Sequence, residues 1–426
     1  MRGLPGSGKS TIVRSITSTY PGCVVCSADD YFMKDGVYKF DATQLSYAHS
    51  ACQEKAKTAC CDGVAVVVID NTNIRRWEMN FYLELARHND YVVVPVQPKT
   101  AWRLNPVELA KRNKHGLTED ILTRKVKQIE DVIPLFYGWF LRDTASSELI
   151  FISKCVLQQC LLQIPDLADR LLRQLSLSRK NINDWDHLWS ILQEYYISPN
   201  RSGSLMHCTA KYCGRGQNLA EGAYLYHKDP RVQDSVGQAF TLVITSICYS
   251  PRTVGARVSL DDAELKLFDK PEEREWRNGR SATAAAAAAA HLSGNKTSPK
   301  VRKTFPKKRK FHDPAVEHSF PRDYSPSLTD SEISQASGDK AFSECPLKEA
   351  KQGRSAHITL GMARGMQARE TTFDVLRLCD MEVERPSTSS DFLLVTGGRL
   401  RYFGDGICCV YFSKPLYVRV LFSGYY

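Results

Sequence analysis

The chain has 426 residues, 43% of them hydrophobic, and a formal net charge of +10. That length suits two globular domains plus linkers, and the hydrophobic content is that of a chain that buries cores rather than one that stays unfolded. No apolar run approaches the ~18 residues of a membrane helix, the N-terminus is not a signal peptide, and the basic excess is compatible with a nucleic-acid partner without establishing one. The fourteen cysteines follow no framework spacing. Cys23-x-x-Cys26 has no second pair to complete a zinc site, and Cys60-Cys61 and Cys408-Cys409 are adjacent doublets. They read as reduced, mostly buried thiols of a cytoplasmic protein, and no metal centre is expected.

The first element is Gly3-Leu4-Pro5-Gly6-Ser7-Gly8-Lys9-Ser10-Thr11, which fits G-x-x-x-x-G-K-[ST] throughout. Gly3, Gly6 and Gly8 let backbone N–H groups turn inward around phosphates, Lys9 would reach the terminal phosphates, Ser10 would ligate Mg²⁺, and the helix that Thr11 continues adds its positive end. ATP or GTP with Mg²⁺ is the expected occupant. Asp70 closes the apolar run Val66-Val67-Val68-Ile69, as a Walker B carboxylate does. Asp29-Asp30, after the run Cys23 to Ser27, could stand near an acceptor hydroxyl. Arg75, Arg76, Lys111, Arg112 and Lys114 could form a phosphate-binding lid, but each alone is more safely read as solvated charge. A phosphate loop normally follows a buried central strand; only Met1 and Arg2 precede Gly3, so the first strand is expected to be missing and nucleotide binding to be weak.

Val64 to Ile69 and Tyr91 to Val96 are unbroken β-branched runs, read as strands buried on both faces. Residues 1–142 are therefore expected to form an α/β domain with a parallel sheet. The stretch 143–200 reads helical, and from about residue 201 the texture becomes α+β, with strands at Ala239 to Cys248, Ala256 to Leu260, Phe392 to Thr396 and Tyr417 to Phe422. The second domain, 143–426, is interrupted at about 270–352. Seven consecutive alanines and then Ser, Pro, Lys and acidic residues cannot bury a core there, and a disordered insertion is expected. Within it, residues 296–310 carry eight Lys or Arg and no acid; Pro306-Lys307-Lys308-Arg309-Lys310 resembles a basic nuclear-import string, although a solvated linker is the plainer reading.

Two strings in the second domain carry chemistry. His207-Cys208-Thr209 and His357-Ile358-Thr359 each lie in a strand-like run, so His and Thr of each project from one face. A single His-x-Thr arises easily by chance, and a lone strand histidine is more often structural. Two such strands side by side would put two imidazoles and two hydroxyls around one phosphodiester, one His as general base on water and the other as general acid on the leaving oxygen. A helix is expected at Thr371 to Leu378.

The order of phosphate loop, Asp70-Asn71-Thr72-Asn73, Pro98-Lys99-Thr100-Ala101-Trp102-Arg103, Pro134-Leu135-Phe136-Tyr137-Gly138-Trp139-Phe140-Leu141, the two histidine strings and Phe422-Ser423-Gly424-Tyr425-Tyr426 resembles the 2′,3′-cyclic-nucleotide 3′-phosphodiesterases of myelin and their regeneration-induced fish relatives. The resemblance implies a polynucleotide-kinase type P-loop domain, to which Asp29-Asp30-Tyr31 is also similar, followed by a two-lobed two-histidine phosphoesterase domain. It implies opening of 2′,3′-cyclic nucleotides or RNA cyclic-phosphate ends to 2′-phosphates. His207 and His357 would be the acid–base pair, His357 favoured as base and His207 as acid, Thr209 and Thr359 would hold the phosphate, and no metal would be required. Cytoskeletal partners and peripheral membrane association are implied as well, but no C-terminal Cys-a-a-X prenylation motif is present here. The competing expectations are an ATP-dependent polynucleotide 5′-kinase run by Lys9, Asp29 and Asp70, and a non-enzymatic scaffold binding RNA or cytoskeleton.

Overall fold

The computed structural model describes residues 1–197, 205–215, 218–277 and 352–426. The described residues up to Glu275 and those from 352 to 426 form one compact unit. The proposed insertion and its basic string lie almost wholly outside the described residues.

The phosphate loop leads directly into the helix Lys9–Thr19. The parallel sheet around it is small: Val24–Cys26 pairs with Val67–Ile69, and no further strand joins them among the described residues. The expected strand at Tyr91 to Val96 does not form one. Its contacts explain why. The Val96 carbonyl accepts from the Arg2 amide at 2.8 Å, and the Val93 carbonyl accepts from the Ser423 hydroxyl at 2.6 Å, so isolated donors replace a strand ladder. Met1 to Gly3 lies between this segment and the Walker B side: the Met1 ammonium donates to the Ile69 carbonyl at 2.7 Å, and the Gly3 amide to the Thr72 carbonyl at 2.8 Å. The helices Leu45–Cys61 and Arg76–His88 present Ala48, Cys52, Ala56, Met79 and Leu83 to buried clusters beside this sheet.

Among the described residues the second part is a nine-stranded antiparallel sheet. In pairing order its main path runs Ala239–Tyr249, Thr253–Ser259, His357–Ala363, His207–Tyr212, Phe136–Leu141 and Ile407–Tyr425. The last of these pairs back onto the first, from Ala239↔Leu421 to Tyr249↔Cys408, so the path closes on itself. Closure is possible because Ile407–Tyr425 is 19 residues long and changes neighbours along its length. Its first half pairs with Gly398–Gly404 and its end with Phe136–Leu141. The main apolar cluster gathers Trp139, Cys208, Ala210, Ile244, Ala256, Ile358 and Phe422, covered by Asp143–Gln163, Pro165–Gln174 and Trp185–Tyr195. These three helices fall in the stretch read as helical.

The boundary drawn after residue 142 needs correction. Phe136–Leu141 is fully buried and pairs with Ile407–Tyr425 on one side and His207–Tyr212 on the other, so the sheet of the second part begins at Phe136. An apolar strand leaves no trace in its own sequence of which sheet will bury it.

Candidate active site

Each His-x-Thr string starts a strand at the histidine itself: His207–Tyr212 and His357–Ala363. The two strands meet in antiparallel register at Ile358↔Cys208. That register sets His357 beside Thr209 and His207 beside Thr359. Cys208 and Ile358 are both fully buried in the main core, so alternation along each strand turns both imidazoles and both hydroxyls to the opposite face. The four side chains expected to work together are thus brought together.

Both rings are locked in the same way. His207 Nδ1 lies 2.7 Å from the Leu205 carbonyl, and His357 Nδ1 lies 2.6 Å from the Ser355 carbonyl. A carbonyl only accepts, so Nδ1 carries the proton and Nε2 is the free acceptor of the neutral ring. Phe136 stacks on His207 with ring centroids 4.3 Å apart, and Tyr425 stacks on the other side of Phe136 at 5.0 Å. The Thr359 hydroxyl donates to Thr371 Oγ1 at 3.3 Å, from the helix Arg369–Glu384, which covers the expected Thr371 to Leu378 stretch.

Burial dominates the electrostatics. It pulls the His207 imidazolium pKa from 6.5 down to about 4, the Leu205 carbonyl opposing and the Lys270 ammonium adding to the fall. His357 is depressed well below the ordinary value, first by burial, then by Lys270, with the Ser355 carbonyl opposing and His207 adding further. At neutral pH both rings are neutral bases. Sequence reasoning missed Phe136 as the ring behind His207, and it missed Lys270. Lys270 stands at the edge of a segment read as disordered, and nothing in its local sequence sets it apart.

The phosphate loop is built for anions. Gly3, Gly6 and Gly8 have φ of 150°, 78° and 107°, and a Cβ on Gly6 would lie 2.7 Å from the Leu109 carbonyl, so that position admits only glycine without distortion. Lys9 Nζ donates to the Leu4 carbonyl at 3.3 Å. Its pKa is lowered by burial against the pull of Asp70 and Asp29; Asp70 is raised by burial, with Lys9 and the N-terminal ammonium opposing. Ser7 Oγ and Asp70 Oδ1 are buried without a hydrogen-bond partner. Ser10 and Thr11 are exposed at the start of the helix. The Pro98–Arg103 string grips the loop from outside: Thr100 Oγ1 donates to the Ser7 carbonyl at 3.0 Å and Trp102 Nε1 to the Gly6 carbonyl at 3.2 Å. Of the lid candidates, Arg112 stacks on Trp102 at 4.6 Å, and Lys111 and Arg112 both pair with Glu108. The Asp29 carboxylate accepts from Tyr38 Oη at 3.3 Å and faces His115 at 3.7 Å.

The profile of the 2′,3′-cyclic nucleotide 3′-phosphodiesterase family matches residues 133–294 and 327–426. The chain belongs to that family. An AAA-domain profile matches residues 1–135, and the phosphodiesterase profile starts just ahead of the Phe136 strand, where the antiparallel sheet begins. The 2′,3′-cyclic-nucleotide 3′-phosphodiesterases of Mus musculus and Rattus norvegicus are each 27% identical to it over 428 residues, covering 100% of this chain and 82% of the relative. A second kind of relative, NEDD4-binding protein 2 of Homo sapiens, is 41% identical over 130 residues, 30% of this chain and 7% of that protein. No helix among the described residues is long and apolar enough to cross a membrane.

Proposed function

We infer that this chain opens 2′,3′-cyclic phosphates of nucleotides or RNA ends to 2′-phosphates, with His207, Thr209, His357 and Thr359 as the working groups. The observation that carries the reading is the matched pair of imidazoles on one sheet face, each with Nδ1 committed to a carbonyl and Nε2 left for chemistry. The two hydroxyls hold the phosphoryl oxygens. His357 Nε2 takes a proton from water as its oxygen bonds to phosphorus. The P–O3′ bond breaks, and His207, neutral in the free site and protonated from solvent once the anionic phosphodiester sits beside it, gives that proton to O3′. One water is consumed, both proton transfers are accounted for by the imidazoles, and the next cycle begins when His357 passes its proton to solvent and His207 regains one. The cleft would lie between two lobes meeting along the paired histidine strands.

The test is hydrolysis of 2′,3′-cyclic AMP by the purified chain beside His207→Ala and His357→Ala. Each variant is expected to lose at least ~10³-fold in kcat, the range over which acid–base and nucleophile-positioning groups act. A folded double variant that retained turnover would place the chemistry elsewhere.

A second reading concerns the phosphate loop. The buried, unpartnered Ser7 hydroxyl and Asp70 oxygen beside Lys9 fit a magnesium nucleotide. Gly3, Gly6 and Gly8 would shape the cradle, Lys9 would meet the outer phosphates, and Ser10 with Asp70 would hold the metal. The nucleotide, when bound, would supply a transferable phosphoryl group. Asp29, held by Tyr38, is the carboxylate nearest in role to an acceptor base, as a 5′-kinase requires. Lys9→Ala should abolish nucleotide binding measured by calorimetry; retention of affinity would rule this reading out.

A further inference from the structure

We propose that Lys270 is a phosphate-binding cation of the two-histidine site, contacting the phosphoryl oxygens of the cyclic substrate and of the 2′-phosphate product. This rests on the phosphodiesterase reading above.

Three observations lead there. The residue is only 8% exposed. A buried ammonium is expensive unless an anion or several acceptors meet it. Among the described residues the Lys270 side chain has no hydrogen bond or ion pair, and its ammonium lies 5.7 Å from the centre of the Phe268 ring.

Its position is fixed by both histidine strands. The amide of Asp269 donates to the Ala210 carbonyl at 2.9 Å, and the Asp269 carboxylate accepts from Lys211 at 2.7 Å; both partners are on the His207 strand. On the other side of Lys270, the Glu273 carboxylate accepts from the amides of Gly353, at 3.0 Å, and Ser355, in the segment leading to His357. Lys270 therefore lies between two anchors, one bonded to the His207 strand and the other to the segment that leads into the His357 strand. Its charge falls on the Cys208 thiol and on both imidazoles.

The nearby acids do not satisfy it. Asp269 is engaged by Lys211 and Glu273 by two backbone amides. Glu272 and Glu273 pull the Lys270 pKa up, yet burial outweighs them and the net direction is down. A largely buried cation without a partner, whose charge reaches two neutral bases, is prepared for a ligand that brings negative charge. In the reaction proposed here that ligand is the phosphoryl group, whose charge grows as water adds. A preorganised cation at such a place acts on the transition state more than on the ground state.

The experiment uses the full chain with Lys270→Met and Lys270→Arg, and inorganic phosphate as the binding probe. In the Met variant kcat for 2′,3′-cyclic AMP should fall roughly 10²-fold, phosphate affinity by calorimetry about 10-fold, and the pH optimum should rise, because removing the cation lets both imidazoles bind protons more readily. Its melting temperature should hold or increase, since a buried unpaired charge has been replaced by an apolar chain of similar length. The Arg variant should recover part of kcat. Unchanged kcat/KM together with unchanged phosphate affinity would overturn the proposal and leave the phosphodiesterase reading intact. A loss of turnover with unchanged phosphate affinity and a lower melting temperature would overturn it too, giving Lys270 a packing role. If wild type turns over no cyclic phosphate, the reading itself fails, and the phosphate titration alone decides: a Lys270-dependent affinity upholds the anion site, an affinity unaffected by the substitution removes it.

Discussion

His207 and His357 each donate through Nδ1 to a carbonyl two residues earlier in their own chain segment. The orienting acceptor is therefore local, and no carboxylate is needed to set the tautomer. The paired His-x-Thr strings were legible because period-two alternation is a property of the strand alone. The carbonyl partners depend on the backbone just ahead of each strand, and Phe136 and Lys270 come from distant segments, which no spacing records. One consequence is testable. Both imidazoles have folded pKa values below the ordinary one, His207 falling from 6.5 to about 4. The folded state then binds fewer protons than the unfolded chain between those values, so stability is full above the unfolded pKa and is lost as pH falls through this window. For His207 the shift corresponds to on the order of 3 kcal/mol. Urea unfolding at pH 7 and pH 5 should show a clear acid loss in wild type and a much smaller one in a His207→Gln/His357→Gln double variant. Equal losses in both would mean that the rings are not desolvated as described.

At the scale of elements, the strands at Ala239–Tyr249 and Thr253–Ser259 and the helices after residue 142 follow from residue patterning. What patterning could not supply is neighbour identity. Tyr91 to Val96 has the composition of a buried strand and lacks a ladder, whereas Ile407–Tyr425 runs through Pro415 and closes the sheet. Proline is tolerated in a strand where its missing N–H breaks no ladder bond, and here Lys414 and Pro415 have no register partner, the Ser413 amide just before them donating to the Gly397 carbonyl at 2.9 Å. Phe136–Leu141 holds the His207 strand in place through Gly138, which opposes Thr209 across a register shift. A Cβ at Gly138 would lie 2.6 Å from the Cys208 carbonyl, a backbone atom between the two catalytic side chains. Gly138→Ala should therefore displace that backbone, cost about 1–3 kcal/mol of stability and lower kcat by roughly 10-fold or more, in keeping with the sensitivity of rate to small misplacements. Gly22→Ala, where a Cβ meets nothing within 4 Å, is the matched control. Equal activity of the two variants would show that the strand tolerates the shift.

On the scale of the whole molecule, the P-loop part and the sheet are sewn together by the last residues of the chain. Arg87 Nη2 donates to the Tyr426 carbonyl at 3.0 Å, a contact 339 residues apart in sequence, and its guanidinium lies 5.5 Å from the Tyr425 ring. Ser423 Oγ donates to Val93 at 2.6 Å, and Lys228 pairs with Asp131 at 2.5 Å. Arg87, Tyr425, Phe136 and His207 form one continuous stack from the helix Arg76–His88 to the catalytic ring. The order of motifs announced two functional parts; their union was not legible, because each contact pairs residues far apart in sequence and no local pattern records which distant residues meet. A molecule joined in this way should unfold in a single transition, and a ligand at the phosphate loop should stabilise the sheet as well. With magnesium ATP at ten times its Kd the gain is about 1.4 kcal/mol, which for a unit of this size is a rise of roughly 2 °C. Scanning calorimetry should show one peak moving as a whole, Lys9→Met should abolish the shift, and the same variant should open cyclic AMP within about 2-fold of wild type, since Lys9 belongs to neither histidine strand. Two peaks, of which nucleotide moves only one, would mean that the seam does not transmit stability; a parallel loss of phosphodiesterase turnover in Lys9→Met would mean instead that the stack carries the state of the phosphate loop into His207.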